Sequence, residues 1–334
     1  MHIGLTYDLQ TDPTDPRQAE FDPPQTLRAL DAALRELGHT VHRLGNAEQL
    51  IAAPWRLQHV ELVFNLAEGR HGRCREAWVP ILLEHWGVPF VGSGSASQIL
   101  GLDKVMSKRL AQASGVATPR WVMVDHVDAI DPHQLPEFPL IVKPRHEGSG
   151  LGIDAGAVVH DVVSLRRRVA WLMATWPQPC LIESFIPFGE LTVFLLGNRP
   201  PLALPAIQRP LDPVSRLSCH VAGHGAGGWF CPVELTPSLD AEAKRIAVTM
   251  FETLRCRDMA RVDLRVDDRG VPYFLEINPL ASFDPEGSVG LIAECRGTTY
   301  THLIGQILDA ARLRLGFSTT ATRGITNHQI PITK

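Results

Sequence analysis

Arg261, Asp263, Glu276 and Asn278 stand at alternating positions within residues 260–278, ARVDLRVDDRGVPYFLEIN, and they define the chemistry available to this 334-residue chain. Two apolar-alternating runs flank Asp267-Asp268-Arg269-Gly270, a polar, Gly-terminated turn signal, so a β-hairpin is expected. With Val266 opposite Val271, Arg261 faces Glu276 and Asp263 faces Phe274. Arg261, Asp263, Glu276 and Asn278 then share one face, with Asp263 and Glu276 diagonal neighbours roughly 7–8 Å apart. Two carboxylates and an amide oxygen converging on one face suit an oxygen-seeking cation, and Mg²⁺ commonly bridges such carboxylates to phosphates. An ordinary hairpin with a solvated polar face would show the same residues, and the hairpin alone does not decide.

A second concentration lies upstream. Lys143 closes the apolar run LIVKP, and Gly148, Ser149, Gly150 and Gly152 follow. Such glycines let backbone N–H groups approach a polyphosphate that the lysine can neutralise, although a surface turn has the same composition. The P-loop pattern GxxxxGK[ST] is absent. His220 and His224 lie in a Gly-rich segment without an obvious third metal ligand.

The elements that must position these residues alternate. Short apolar runs at residues 2–7, 41–44 and 60–66 interleave with helical spacing at 25–37 and 76–86, which argues for a doubly wound, mainly parallel sheet closing near residue 100. The polar loop 67–75 sits at a strand's carboxyl end, where such folds place ligands. One helical run is expected over 95–115, an amphipathic helix over 162–176 with Arg166, Arg167 and Arg168 solvated, and further helices over 240–254 and 300–315. Strands are expected at 140–144, 180–186 and 191–196. The segment 209–233 loses periodicity, and 319–334 reads as a frayed tail.

Net charge is −4 with the signs mixed, so no basic block marks a nucleic-acid or anionic-membrane binder. The N-terminus has no signal-peptide pattern and no apolar window is long enough to span a bilayer. The cysteines (Cys74, Cys180, Cys219, Cys231, Cys256, Cys295) show no CxxC spacing and suit reduced thiols in a cytoplasm.

Seven segments in register resemble the ATP-grasp superfamily, and within it the D-alanine–D-alanine ligases: VFNLAEG, EHWGVPFVGSG, LDKVMSK, FPLIVKPRHEGSGLGI, LIESFIPFGELTVFLLG, MARVDLRV and YFLEINPL. The resemblance implies an α/β, three-domain architecture: an N-terminal doubly wound α/β domain (1–100), a small central α+β lid domain (101–190) and a C-terminal α+β domain carrying the hairpin (191–316). A flexible tail (317–334) follows, and ATP lies between the last two domains. It implies that Lys104 and Lys143 hold the ATP phosphates and that the loop containing Gly148, Ser149 and Gly150 closes over them. Glu183, with the backbone of Ser184, Phe185 and Ile186, would bind adenine, and Glu190 the ribose. Asp263, Glu276 and Asn278 would hold Mg²⁺, for which Mn²⁺ could substitute. Arg261, Ser149 and Ser282 would serve catalysis.

The implied reaction joins a small acid to an amine through an acyl phosphate, releasing ADP. The implied partners are amino-acid-like substrates and a second copy of the chain in a cytoplasmic homodimer. Some features depart from the family pattern. Ser282 stands where a glycine of a Pro-Gly pair belongs, and Ser288 lies close to the carboxylate-binding serine. The segment 209–233 offers Arg209, Arg216, His220 and His224 in place of a lysine–tyrosine pair. Leu5-Thr6-Tyr7-Asp8, with Glu20 and Asp22 further on, replaces Gly-Gly-x-Ser. The phosphate-handling half matches and the substrate-handling half departs, so a relative with other substrates, in dipeptide or natural-product assembly, is expected. The alternatives are a genuine D-alanine–D-alanine ligase, an intramolecular cyclising relative, or a nucleotide-binding protein without ligase activity.

Overall fold

Strands and helices alternate from the first residues of the computed structural model, which describes residues 1–219 and 234–317. β1 (His2–Thr6), α1 (Pro24–Glu36), β2 (Thr40–Gly45), α2 (Ala47–Ala52), β3 (Leu62–Asn65), α3 (Trp78–Trp86) and β4 (Phe90–Val91) build a parallel sheet in the order β2-β1-β3-β4. In α1 the buried Leu27, Leu30 and Leu34 recur at helical spacing, and Pro24 occupies the first turn where a missing N–H costs nothing. The sequence reading passed over α2, which a reciprocal capping box between Asn46 and Gln49 starts.

The helical run expected over 95–115 is two helices, α4 (Ser95–Leu102) and α5 (Lys104–Ala113). Asp103 breaks it in an extended conformation and accepts the Val105 and Met106 N–H groups at 3.1 Å each, capping α5. An aspartate inside an otherwise periodic stretch competes for backbone donors, and here that competition ends one helix and starts the next.

β5 (Trp121–Val124), β6 (Leu140–Pro144), β7 (Val158–Val159) and β8 (Cys180–Ser184) form an antiparallel sheet ordered β5-β8-β6-β7. α6 (Val162–Thr175) packs Leu165, Val169 and Leu172 against it. Arg168 is not solvated as expected. It is buried, donates to Gly152 O at 2.7 Å and Asp154 Oδ1 at 2.8 Å, and stacks over Trp171.

β9 (Gly189–Leu196), β10 (Leu202–Ala203), β11 (Ile207–Gln208), β12 (Met259–Val266) and β13 (Pro272–Asn278) make the third sheet, ordered β10-β9-β12-β13 with β11 also on β9. α7 (Pro237–Thr253) covers it with Ala243, Ile246, Ala247 and Met250. α8 (Ser288–Cys295) and α9 (Tyr300–Arg314) then return to the first sheet. Ile292, Leu303 and Ile307 share one core with Ile3, Leu5, Leu30 and Leu34, so the last helices pack onto the first sheet's apolar side.

Among the described residues no helix is long and apolar enough to cross a membrane. Cys74, Cys180, Cys219 and Cys256 are free, but Cys295 is disulfide-bonded, against the expectation of reduced thiols throughout. Spacing along the chain does not reveal pairings that the fold makes. His220, His224 and the tail from residue 318 lie outside the described residues.

Candidate active site

β12 and β13 form the expected hairpin with a different register. Val266 pairs with Pro272, and the Asp267 N–H bonds to Val271 O at 3.0 Å, so the loop is tighter than the four residues expected. The register then shifts between Asp263 and Leu264, leaving Leu275 as the extra residue of a bulge. The two one-residue offsets add to two, which keeps the polar residues on the expected face. Asp263 stands directly opposite Glu276 and Arg261 opposite Asn278, closer than the diagonal neighbours expected.

Asp263 is held from three sides. Thr192 Oγ1 donates to Oδ1 at 2.6 Å, while Arg261 Nη2 (2.9 Å) and Asn278 Nδ2 (3.3 Å) donate to Oδ2. Glu276 accepts an ion pair from Lys104 Nζ at 3.1 Å. Burial raises the Glu276 carboxyl, but Lys104, Lys143 and Arg261 outweigh it and bring the carboxyl down to about 2. Burial acts against the Arg261 cation in the same way, and Asp263 and Glu276 overcome it. Glu276 is therefore ionised, and the register turns it and Asp263 to one face. Among the described residues no group of three or more His, Cys, Asp or Glu could hold a metal ion. Two carboxylates with an amide oxygen still fit Mg²⁺, which takes few protein ligands and leaves the remainder to water and phosphate.

The lysines converge on this face from two other elements. Lys104 opens α5, and its ammonium also donates to Glu147 O at 2.5 Å. Asp103, held well below the usual carboxylate range by His146 and Arg145 despite its burial, pairs with Arg145 at 2.7 Å and ties α5 to the loop after β6. Lys143, near the end of β6, pairs with Glu183. Glu183 and Lys108 are each 1 % exposed, and Lys108 Nζ lies 2.7 Å from the second Glu183 oxygen. Burial pushes the Glu183 carboxyl up, and Lys108 and Lys143 together bring it down to about 2. Lys108 also donates to Thr118 Oγ1 at 2.8 Å, which donates to Phe274 O at 2.8 Å.

The glycine-rich loop lies against the first unit. Gly148 N donates to Glu20 Oε1 at 2.8 Å, and Arg75 donates to His146 O at 2.8 Å and to Glu20 Oε2 at 2.6 Å. Ser149, Gly150 and Gly152 all have left-handed backbone, and a Cβ on Gly152 would stand 2.8 Å from Leu172, so glycine is required there. Ser149 bears its side chain at the loop's turn. Ser282 has no left-handed backbone, and its Oγ accepts from Asp284 N at 3.3 Å, so the serine is accommodated without the strain a φ above zero would bring. Ser288 is buried in the first turn of α8.

Other expected site residues have partners of their own. Glu190 pairs with Arg265 at 2.9 Å, and Arg265 also donates to Ile186 O at 3.3 Å and lies over the Phe185 ring. The N–H groups of Ser184 and Phe185 donate to Arg120 O and Pro139 O, so they are already used by the sheet. Arg209 faces Arg261, Asp263, Glu190 and Glu276, whereas Arg216 turns to Pro187 O and Phe188 O. Sequence reasoning assigned no part to Lys108, Thr192, Arg75 or Arg265. Lys108 carried a signal within LDKVMSK, since it recurs four residues after Lys104 on one helix face.

Known proteins resemble this chain over most of its length. The family described as D-ala D-ala ligase C-terminus matches residues 110–309. An uncharacterised protein of Sinorhizobium fredii is 34 % identical over 295 residues, covering 85 % of this chain and 86 % of that one. The D-alanine–D-alanine ligase of Cupriavidus metallidurans is 32 % identical over 257 residues, covering 76 % of each chain. The fold matches that of a D-alanine–D-alanine ligase from Bacillus anthracis complexed with ATP, with a TM-score of 0.75, 21 % identity, and coverage of 95 % of this chain and 99 % of that one. With lysines, glycine-rich loop and acidic hairpin gathered around one face, this chain belongs to the D-alanine–D-alanine ligase family of ATP-grasp enzymes.

Proposed function

We propose that the chain is an ATP-dependent carboxylate–amine ligase that forms an amide through an acyl phosphate and releases ADP and phosphate. The observation that carries this reading is the direct opposition of Asp263 and Glu276, with Arg261 and Asn278 beside them and Lys104 reaching the same face. On this reading ATP lies between the two walls formed by residues 101–190 and 191–316.

Lys104 and Lys143 exchange their carboxylate partners for ATP phosphates, and Glu183 keeps Lys108 when Lys143 leaves it. Bound at Asp263, Glu276 and Asn278, Mg²⁺ would offset polyphosphate charge. Arg261, fixed by Asp263, offers positive charge where the acyl oxygen becomes negative. The acid's carboxylate attacks the terminal phosphoryl group, ADP leaves, and the amine then displaces phosphate. The loop at Ser149 covers the phosphates and excludes water, and Glu190 with Arg265 borders the sugar.

Small acids and amines of the amino-acid class are the proposed substrates, in a specialised dipeptide or natural-product role, with a cytoplasmic homodimer as the working form. Measuring phosphate release with ATP, Mg²⁺ and pairs of acids and amines tests the reading. ADP release that requires both acid and amine supports it. D-alanyl-D-alanine formed from D-alanine alone would instead assign the activity named for the relatives. Nucleotide binding with no acid-dependent turnover would reduce the chain to a nucleotide-binding protein.

A further inference from the structure

Arg209 opens the segment where periodicity fails in the sequence, yet its backbone still belongs to the third sheet. β11 runs antiparallel to β9, with Ile207 opposite Thr192 and Gln208 opposite Leu191, and the Arg209 N–H extends the ladder to Glu190 O at 3.3 Å. Side chains alternate along a strand, so Arg209 lies on the same face as Ile207, Glu190 and Thr192. Across β12 that face carries Arg265, Asp263 and Arg261, and Thr192 Oγ1 marks it by donating to Asp263 at 2.6 Å.

The chain is fixed on both sides of this residue. The sheet holds it from behind. Ahead, Leu211 bridges to Ser218 across a turn in which Asp212 Oδ1 accepts the Val214 and Ser215 N–H groups at 3.1 and 2.6 Å. Arg216, in that turn, is committed to Pro187 O and Phe188 O, so Arg209 is the arginine of this stretch that the register brings to the hairpin.

Half-buried Arg209 faces the Arg261 guanidinium as well as Asp263, Glu190 and Glu276. Each of those carboxylates also holds another cation: Arg261 on Asp263 at 2.9 Å, Arg265 on Glu190 at 2.9 Å and Lys104 on Glu276 at 3.1 Å. Two guanidiniums facing each other repel, and an oxyanion between them converts that repulsion into attraction. A phosphoryl group presents three charged oxygens, and a planar fork of N–H donors matches two of them at once.

Resting on the ligase reading, we propose that Arg209 and Arg261 together seat the phosphoryl group while it passes from ATP to the acid. In that step the acid's carboxylate oxygen bonds to phosphorus as the bond to the bridging oxygen breaks. ADP leaves with that electron pair, and no proton moves. The phosphoryl oxygens keep their charge throughout, and donors fixed in place before the reaction stabilise them without reorganising. Lys104 and Lys143 hold the nucleotide from the other wall, whereas Arg209 acts on the group that moves.

The test uses the intact chain with Mg²⁺ and ADP, with and without aluminium fluoride, which mimics the phosphoryl group in transfer and needs neither acid nor amine. In calorimetry the parent is expected to bind ADP with aluminium fluoride at least about a hundredfold more tightly than ADP alone, the scale of one fixed donor at a developing charge. Arg209→Ala is expected to cut that gain to about tenfold or less while binding ADP within about threefold of the parent. Arg209→Lys keeps the charge without the fork, so it should fall between, and it carries the comparison if Arg209→Ala does not fold. No gain in the parent, an unchanged gain in the variants, or an equal loss of ADP binding would overturn the inference.

Phosphate release measured alongside separates the two readings. Arg209→Ala is expected to lower kcat roughly a hundredfold with the KM for the acid near the parent's. A raised acid KM with kcat kept would place the acid's carboxylate at Arg209 and overturn the phosphoryl seat. Acid- and amine-dependent ADP release in the parent, with a gain that ignores Arg209, leaves the ligase standing without this residue. A gain that depends on Arg209, with no such ADP release, keeps the phosphoryl seat and removes the ligase.

Discussion

The Glu20 carboxylate accepts the Gly148 N–H at 2.8 Å, so a side chain of the first unit grips the glycine-rich loop of the second. Arg75 completes the grip through His146 O and both Glu20 and Glu147. The forked guanidinium bonds two partners at once, which an ammonium does not reproduce. Arg75→Lys is expected to loosen the loop and raise the KM for ATP roughly tenfold, about 1.4 kcal/mol, with a smaller effect on kcat. Steady-state kinetics at varied ATP check this, and an unchanged KM would show that the grip has no part in nucleotide binding.

Glu276→Gln is expected to reduce turnover by roughly a thousandfold or more, the scale of removing a group that organises transition-state charge. The fold should tolerate the change, because Gln keeps the shape and leaves only Lys104 without its 3.1 Å partner. A thermal melt close to that of the parent together with lost phosphate release is the expected pair of results. Undiminished turnover would place the ion elsewhere.

Lys108→Met is expected to cost roughly 3–5 kcal/mol of stability, because it strips buried Glu183 of one of its two cationic partners. Adding Glu183→Leu removes the stranded charge, so the double variant should be less destabilised than the two single changes summed. Urea denaturation of the three variants measures the difference, and simple additivity would argue against a shared ion cluster.

Asp22 gives a pH signature. Its carboxyl stands near 8 in the folded chain, against 3.8 for the ordinary group, because burial and the neighbouring Asp8 and Asp284 oppose ionisation. A folded-state value above the unfolded one means that native stability falls as pH rises from about 4, and that the loss is complete above about 8. Asp22→Asn removes the penalty. Its Tm should equal the parent's near pH 4 and exceed it by a few degrees at about pH 8, levelling off beyond. A constant difference across that range would show that Asp22 is already ionised or already protonated throughout.

The hairpin and the strand-ending lysine were legible because polar groups interrupt apolar alternation there, and a charge inside a strand requires a partner. Register was only partly legible. The bulge at Leu275 leaves no compositional mark, yet it moves Glu276 from a diagonal to a direct neighbour of Asp263. Partners were not legible at all. Lys108 with Glu183 and Glu20 with Gly148 lie 75 and 128 residues apart, and only the fold brings them together. The break at Asp103 was visible in type, since aspartate favours caps, but the surrounding apolar spacing hid it. The adenine-side assignments carried over from the family resemblance meet a backbone that the sheet already uses at Ser184 and Phe185, which no sequence pattern discloses.

α8 and α9 cover the same apolar surface that α1 and β1 present, although more than two hundred residues separate them. During synthesis the opening sheet therefore emerges with one side bare and stays so until residues 288–314 leave the ribosome. The nascent chain spends most of its translation with Leu27, Leu30 and Leu34 lacking their final cover, a period in which chaperone protection matters most.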